Sequence, residues 1–265
     1  MTVRRVPVAA PTRAPDGETC AYVVGGTEPL LVDPPDRSAD LDSVLEDRKP
    51  AHIAVTHHHP DHVGGVAAYA SEFDPTVWVR RGRADAFAAA TGVDPDRTFL
   101  PGEGLPTTPP VTVVDAPGHA PEHVAFAVGD DLVTGDLAVA SGSVVVGAPG
   151  GDMRAYLTSL RRVHARNPAR LLPAHGPIID DPRATCRRLI EHRLDREARV
   201  LAAVESGART PDEVVERAYD KDVSHVYDLA RATVVAHLEK LAVEDAVRWD
   251  GSRARPDGCR YEMGS

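Results

Sequence analysis

The sequence predicts an α/β fold over residues 1–182 and a smaller, mostly helical unit over residues 183–265. Three observations carry this. Short apolar runs rich in Val and Leu alternate with stretches of helical spacing, the pattern of a βαβ-type sheet. Four of those runs stop at a His or Asp that stands beside a Gly or Pro. Near residue 180 the texture changes to long amphipathic helices followed by a hairpin-like end.

The elements follow in order. Residues 20–24, the Gly25-Gly26 pair and residues 29–33 read as strand, tight turn and strand. Asp33 closes the second strand before Pro34-Pro35. It is either a turn residue or a carboxylate that orients a metal-binding histidine. Residues 41–45 suit a short helix, and the apolar run 52–55 leads into Thr56-His57-His58-His59-Pro60-Asp61-His62-Val63-Gly64-Gly65. The glycine pair lets the backbone turn closely under a site. Helix 66–70, strand 77–79 and helix 84–90 continue the alternation, and 101–110 is a Gly- and Pro-rich loop. Strand 111–115 ends in Ala116-Pro117-Gly118-His119, a hairpin 124–134 ends in Gly135-Asp136, and strand 171–173 ends in Ala174-His175-Gly176-Pro177. Between the last two, loop 141–151 precedes a helix over 153–165.

Past Asp181-Pro182 a long helix carries Leu189, Ile190, Leu194, Leu201 and Val204 along one side. Thr210-Pro211-Asp212-Glu213 is a capping box with proline at the first helical position, a strong helix start. A further helix spans about 226–241, and residues 246–251 with 257–261 alternate like a β-hairpin. Three helices and a hairpin is the order of a winged helix, which serves in nucleic-acid binding, dimerisation or as a lid.

Composition bounds the function classes. Hydrophobic residues at 42% and charged residues at 26% are ordinary for a soluble globular chain, and 5% aromatics leave the core to Val, Leu, Ala and Ile. The net charge is −10 and unevenly spread. Residues 1–182 hold 15 Lys and Arg against 24 Asp and Glu, whereas 183–265 hold 15 against 16. An acidic main body does not draw phosphate backbones over long range. Three widely spaced cysteines, Cys20, Cys186 and Cys259, form no disulfide framework or thiolate zinc knuckle. No segment has signal-peptide character, and none approaches the roughly 20 apolar residues of a membrane span. A cytoplasmic location without membrane association is the expectation.

The His-rich loop places four candidate metal ligands within six residues. Imidazoles and carboxylates this dense repel when protonated and are costly to bury unpaired, and a bound cation resolves both problems. His57, His59, Asp61, His62, His119, Asp136 and His175 together resemble the metallo-β-lactamase superfamily pattern of His-x-His-x-Asp-His, Pro-Gly-His, Gly-Asp and Ala-His-Gly. The resemblance covers about residues 15–180 and implies a four-layer αβ/βα sandwich with metals at one edge of its sheets. Ala116–His123, Gly151–Tyr156, Pro173–Pro177, Glu191-His192-Arg193 and Ala236–Leu241 look like landmarks of the β-lactamase-like protein 2 group, which adds a C-terminal winged helix.

Carried over by that resemblance, His57, His59 and His119 hold one metal, Asp61, His62 and His175 the other, and Asp136 bridges. Nitrogen and oxygen donors without thiolates suit two divalent ions, zinc first with manganese or iron as alternatives. Such a pair lowers the pKa of a bridging water from about 15.7 to about 7 and supplies hydroxide, with Asp61 steering its proton. The implied reaction is hydrolysis of an ester or thioester-type acyl bond in a small or carrier-bound substrate. An endoribonuclease acting on single-stranded RNA is the alternative enzyme, against which stands the lack of a basic and aromatic stacking track. A non-enzymatic winged-helix regulator is the third class, and a homodimer is compatible with any of them. The sequence departs from the group at Pro34-Pro35, where a Thr-Gly-like turn is usual, and at Cys20-Ala21. His58 is expected at the surface or cleft rim, His123 as a supporting or packing residue, and Tyr156 in the core. His192 and Arg193 are expected to make a structural polar contact or to bind an anionic substrate group.

Overall fold

The computed structural model describes residues 3–257. Its strands are β1 (Val3–Ala9), β2 (Glu18–Val24), β3 (Leu30–Val32), β4 (His52–Ala54), β5 (Thr76–Arg80), β6 (Arg97–Phe99), β7 (Gly104–Leu105), β8 (Val111–Asp115), β9 (Val124–Val128), β10 (Asp131–Gly135), β11 (Arg170–Pro173), β12 (Val247–Trp249) and β13 (Ala254–Pro256). Its helices are α1 (Ala39–Asp47), α2 (Pro60–Val63), α3 (Val66–Phe73), α4 (Ala84–Thr91), α5 (Met153–Arg166), α6 (Pro182–Glu205), α7 (Pro211–Ala218) and α8 (Tyr227–Val243). Two compact units emerge, both discontinuous in sequence. One comprises Met1–Ala116, Glu122–Ser143 and Val163–Thr185, and the other Pro117–Pro121, Val144–Arg162 and Cys186–Ser265.

In the first unit, β1 to β6 form one sheet in sequential order, antiparallel from β1 to β3 and parallel from β3 to β6. Parallel neighbours need crossovers, which α1, α3 and α4 supply. A second sheet runs β11-β10-β9-β8-β7, antiparallel except where β11 joins β10. One face of the first sheet buries Val23, Leu31, Ile53 and Val77 against Leu41, Leu45, Tyr69 and Phe87 of the helices. Its other face packs Tyr22, Leu30, Val32 and Ala54 against Val113, Phe126, Val133 and Leu172 of the second sheet. A strand covered on both faces must be apolar throughout. That is why β3 and β4 read as short continuous runs.

Strand β1 was not legible as a strand, because Pro7 interrupts it. At the sheet's edge, a residue without an N–H is tolerated. Strands β6 and β7 are three and two residues of ladder that local pattern does not reveal.

The second unit has its own core, in which Val200 and Val204 of α6 meet Val214 and Val215 of α7, Val234 and Leu238 of α8, and Val247 of β12. The capping box is present: Thr210 Oγ1 accepts the Glu213 N–H, and Glu213 reaches back to the Thr210 N–H. The hairpin closes earlier than its alternation suggests, because Asp250 Oδ1 accepts the N–H groups of Ser252 and Arg253. Trp249 then pairs with Ala254. Expected strand positions 258–261 lie outside the described residues.

Glu197 on α6 ties this helix to α8 through Lys240 Nζ at 2.7 Å and His237 Nδ1 at 3.3 Å. Burial alone would raise the Glu197 pKa, but hydrogen bonds from His237 and Lys240 prevail and hold it below the ordinary carboxylate value of 4.5. A depressed carboxylate favours the folded state above its unfolded pKa and loses that benefit as pH falls through the folded value. Melting of the protein should therefore move to lower temperature as pH drops below about 4.5. Glu197→Gln should lower stability by about 2 kcal/mol at neutral pH and shrink the acid limb. Thermal melts followed by circular dichroism between pH 3 and 7 would check both.

Candidate metal centre

Strand β4 aims the His-rich loop. Its residues are buried, and the chain continues through buried Val55 and Thr56 into His57. His59 occupies the cap position of α2 and Pro60 its first turn, a proline placed where no helical N–H is needed. Asp61 and His62 thereby fall within that turn. Directly after it, a β-carbon on Gly64 would stand 2.4 Å from the Pro35 carbonyl oxygen, so the loop can pass over the β3–α1 turn only as glycine. The Gly65 N–H donates to the Pro34 carbonyl at 3.0 Å.

This packing settles the geometry of Asp33. With φ of 49° and 1% exposure, it points its carboxylate back under the loop. One oxygen accepts the Thr56 N–H at 2.6 Å, and the other accepts the Thr56 hydroxyl at 2.7 Å and His62 Nδ1 at 3.0 Å. Asp33 thus orients His62 despite the unusual Pro34-Pro35 pair.

His62 is fully buried, and its Nε2 has no hydrogen-bond partner among the described residues. That atom faces an Asp136 oxygen at 3.5 Å, and the same oxygen lies 3.2 Å from His175 Nε2. His175 Nε2 is also 3.7 Å from Asp61. The Glu18 carbonyl sits 2.9 Å from His175 Nδ1. A carbonyl can only accept, so the proton belongs on Nδ1 and Nε2 is left as a donor atom for a cation. The donor atoms of His57, His62 and Asp136 lie within 4.8 Å of one another, as do those of Asp61, His62 and His175. His57 Nε2 and His59 Nδ1 approach to 2.9 Å.

Burial opposes protonation of His62, yet the Asp136 and Asp33 carboxylates outweigh it and hold this imidazole well above its usual pKa. His175 is raised in the same sense, burial again being outweighed by Asp136. A cluster that holds protons this firmly carries more negative charge than its neutral histidines balance. Divalent cations meet the same demand with the donor set present.

Asp136 stands where β10 ends. Gly135 has φ of 49°, and a β-carbon there would stand 2.4 Å from Thr56 Oγ1. The Asp136 N–H donates to His123 Nε2 at 3.1 Å, which gives fully buried His123 a supporting role. His58 is partly buried, its side chain packing edge-on against Phe87 at 5.6 Å, beside Glu122. Burial, with Arg83 acting the same way, outweighs Glu122 and lowers its pKa.

His119 lies in the second unit, on the turn after β8. Gly118 has φ of 132°, and a β-carbon there would collide with the Tyr156 backbone at 2.3 Å. The turn is fastened to α5 from both sides: Gly118 O accepts the Asp152 N–H at 2.8 Å, and Ser159 Oγ donates to Pro117 O at 2.7 Å. Val145 O lies 2.6 Å from His119 Nδ1, so Nε2 is again the nitrogen that can bind a cation. Tyr156 is fully buried, as expected for a core residue. Sequence reasoning missed Thr56 and the carbonyls of Glu18 and Val145. The carbonyls leave no trace in residue identity, whereas the threonine directly ahead of the histidines was a readable signal.

Residues 13–175 match the family model described as the Metallo-beta-lactamase superfamily, and residues 210–255 match the Beta-lactamase associated winged helix domain. The chain is 30% identical over 253 residues to a Beta-lactamase-like protein 2 homolog of Drosophila melanogaster, covering 87% of this chain and 84% of that one. It is also 30% identical over 193 residues to Thioesterase pkgB of Emericella nidulans, covering 69% of this chain and 53% of the relative. A metallo-beta-lactamase family protein from Thermus thermophilus superposes with a TM-score of 0.79 over 96% of this chain and 98% of its own at 22% identity, a likeness of fold. Among the described residues, no helix is long and apolar enough to cross a membrane. The strand-end histidines and aspartates, the α/β sandwich and the associated winged helix agree: this chain belongs to the metallo-beta-lactamase superfamily, a group of metal-binding and generally hydrolytic enzymes.

Proposed function

We propose that this protein is a dinuclear metal-dependent hydrolase that cleaves an ester or thioester-type acyl bond of a small or carrier-bound substrate. The observation that carries it is the pair of Nε2 atoms of His62 and His175, both facing one Asp136 oxygen, with each Nδ1 engaged elsewhere. By the family's ligand pattern, His57, His59 and His119 would hold one cation and Asp61, His62 and His175 the second, with Asp136 serving both. Bound there, zinc or a similar ion supplies Lewis acidity and a water that ionises near neutral pH. Asp33, through His62, and the Glu18 carbonyl, through His175, keep the imidazoles in one tautomer, so no ring must reorient during turnover. Asp61, 3.7 Å from His175 Nε2, would steer the nucleophile's proton. An acyl rather than a phosphodiester substrate is favoured by the net charge of −10 and by the likeness to a chain named a thioesterase.

Elemental analysis should find about two divalent ions per chain, and fewer than about one overturns the reading. The loaded protein should hydrolyse acyl-CoA thioesters or simple esters and lose that activity on chelation. Cleavage of labelled single-stranded RNA that disappears in His59→Ala, without acyl hydrolysis, would transfer the assignment to a nuclease.

A further inference from the structure

We propose that Arg193 is a positioning residue that fixes the tautomer of His119 by holding the Val144–Val145 segment. Arg193 projects from α6 and is 3% exposed. A guanidinium buried to this degree must find acceptors or aromatic faces. Among the described residues it finds one of each. Its Nη2 donates in a close hydrogen bond to the Val144 carbonyl, and its Cζ lies 5.5 Å over the Tyr156 ring. The next carbonyl along, that of Val145, is the one 2.6 Å from His119 Nδ1. Tyr156 in turn is the residue against whose backbone Gly118 packs. Arg193 therefore steadies both supports of His119, the carbonyl that holds its ring and the wall behind its turn.

The segment needs such an anchor. Residues 141–151 contain no helix or strand, so no ladder holds these carbonyls in place. Further along the segment, the Ala148 N–H donates to the Ala232 carbonyl of α8 at 3.1 Å, and a β-carbon on Gly147 would stand 2.8 Å from Ala232 Cβ. Helices α6 and α8 of the winged-helix-bearing unit thus each hold the segment at one point. A neutral imidazole in water samples both tautomers, and only the form with the proton on Nδ1 presents Nε2 to a cation. A carbonyl selects that form only while it stays within hydrogen-bond reach. These contacts are the structural polar contact expected of Arg193.

The inference rests on the hydrolase reading only in giving His119 a metal to bind. The test uses the full chain. In the metal-free protein, two-bond nitrogen–proton correlations of the His119 ring should show the Nδ1–H tautomer alone, and Arg193→Gln should populate the Nε2–H form. Zinc affinity, measured by competition with a chelator, should fall about 10- to 100-fold in that variant. Ala232→Val, which presses on Gly147 from α8, should shift both readouts in the same direction. Glu197→Gln loosens the same two helices without touching the segment and should leave both unchanged. A folded Arg193→Gln with the original tautomer and affinity overturns the proposal, as does an equal shift in Glu197→Gln. Should Arg193→Gln not fold, the comparison of Ala232→Val with Glu197→Gln decides: a shift in the former alone supports the proposal, and no difference overturns it. If the unaltered protein binds no divalent ion, the hydrolase reading fails, while the tautomer comparison still decides the role of Arg193.

Discussion

Asp136→Asn is expected to reduce acyl hydrolysis by about a thousandfold or more. Its carboxylate faces His62 and His175 through one oxygen, 3.5 and 3.2 Å away, where the two proposed cations would share it. An amide preserves the shape and the backbone hydrogen bond to His123, but it removes the negative charge that offsets two cations. Metal activation supplies several kcal/mol of transition-state stabilisation. At about 1.4 kcal/mol per tenfold, its loss reaches at least three orders of magnitude in rate. The measurement is kcat/KM for a thioester substrate alongside the metal content of the purified variant. Near-normal rates with two ions bound would remove Asp136 from the bridging position.

Asp33→Ala is expected to cost about 3–5 kcal/mol of stability, and metal affinity about 10- to 100-fold. The carboxylate is buried and serves the Thr56 N–H, the Thr56 hydroxyl and His62 Nδ1 at once. Truncation strands all of them, and alanine is also strained at a φ of 49°. Asp33→Asn tolerates that backbone conformation and isolates the effect of charge, so it should retain more stability than alanine. The pH dependence gives a second readout in chelator-treated protein. Burial disfavours the charged form of His62, but Asp136 and Asp33 prevail and raise its folded pKa. A raised histidine contributes stability fully below its unfolded value of 6.5 and loses it as pH rises through the folded value. Asp33→Ala should flatten that alkaline decline. Chemical denaturation at pH 5, 7 and 9 would show whether the slope changes.

The ligand order was legible because each candidate follows an apolar run directly, and the chemistry of a strand end needs only a few residues. His57, His59, Asp61 and His62 share one loop, so their proximity follows from chain connectivity alone. Asp136 and His175 required a fold to reach them. The register that sets β10 beside β11 also brings Gly135 opposite Pro173 and so places both ends together. Strand β1 escaped notice because an edge position excuses Pro7 from donating a hydrogen bond, and edge position is a property of the sheet.

By itself, the sequence determined which side chains could bind cations, the α/β class that presents them at strand ends, and the C-terminal winged helix behind the Thr210 capping box. These depend on residue type, on periods of two and 3.6, and on short-range caps, all local quantities. The tertiary structure alone decided which nitrogen of His62, His119 and His175 a bound cation would meet. That choice is made by Asp33, by the carbonyls of Glu18 and Val145, and by the guanidinium that steadies the segment beside His119. Backbone carbonyls are common to every residue, so only folding says which ones meet an imidazole.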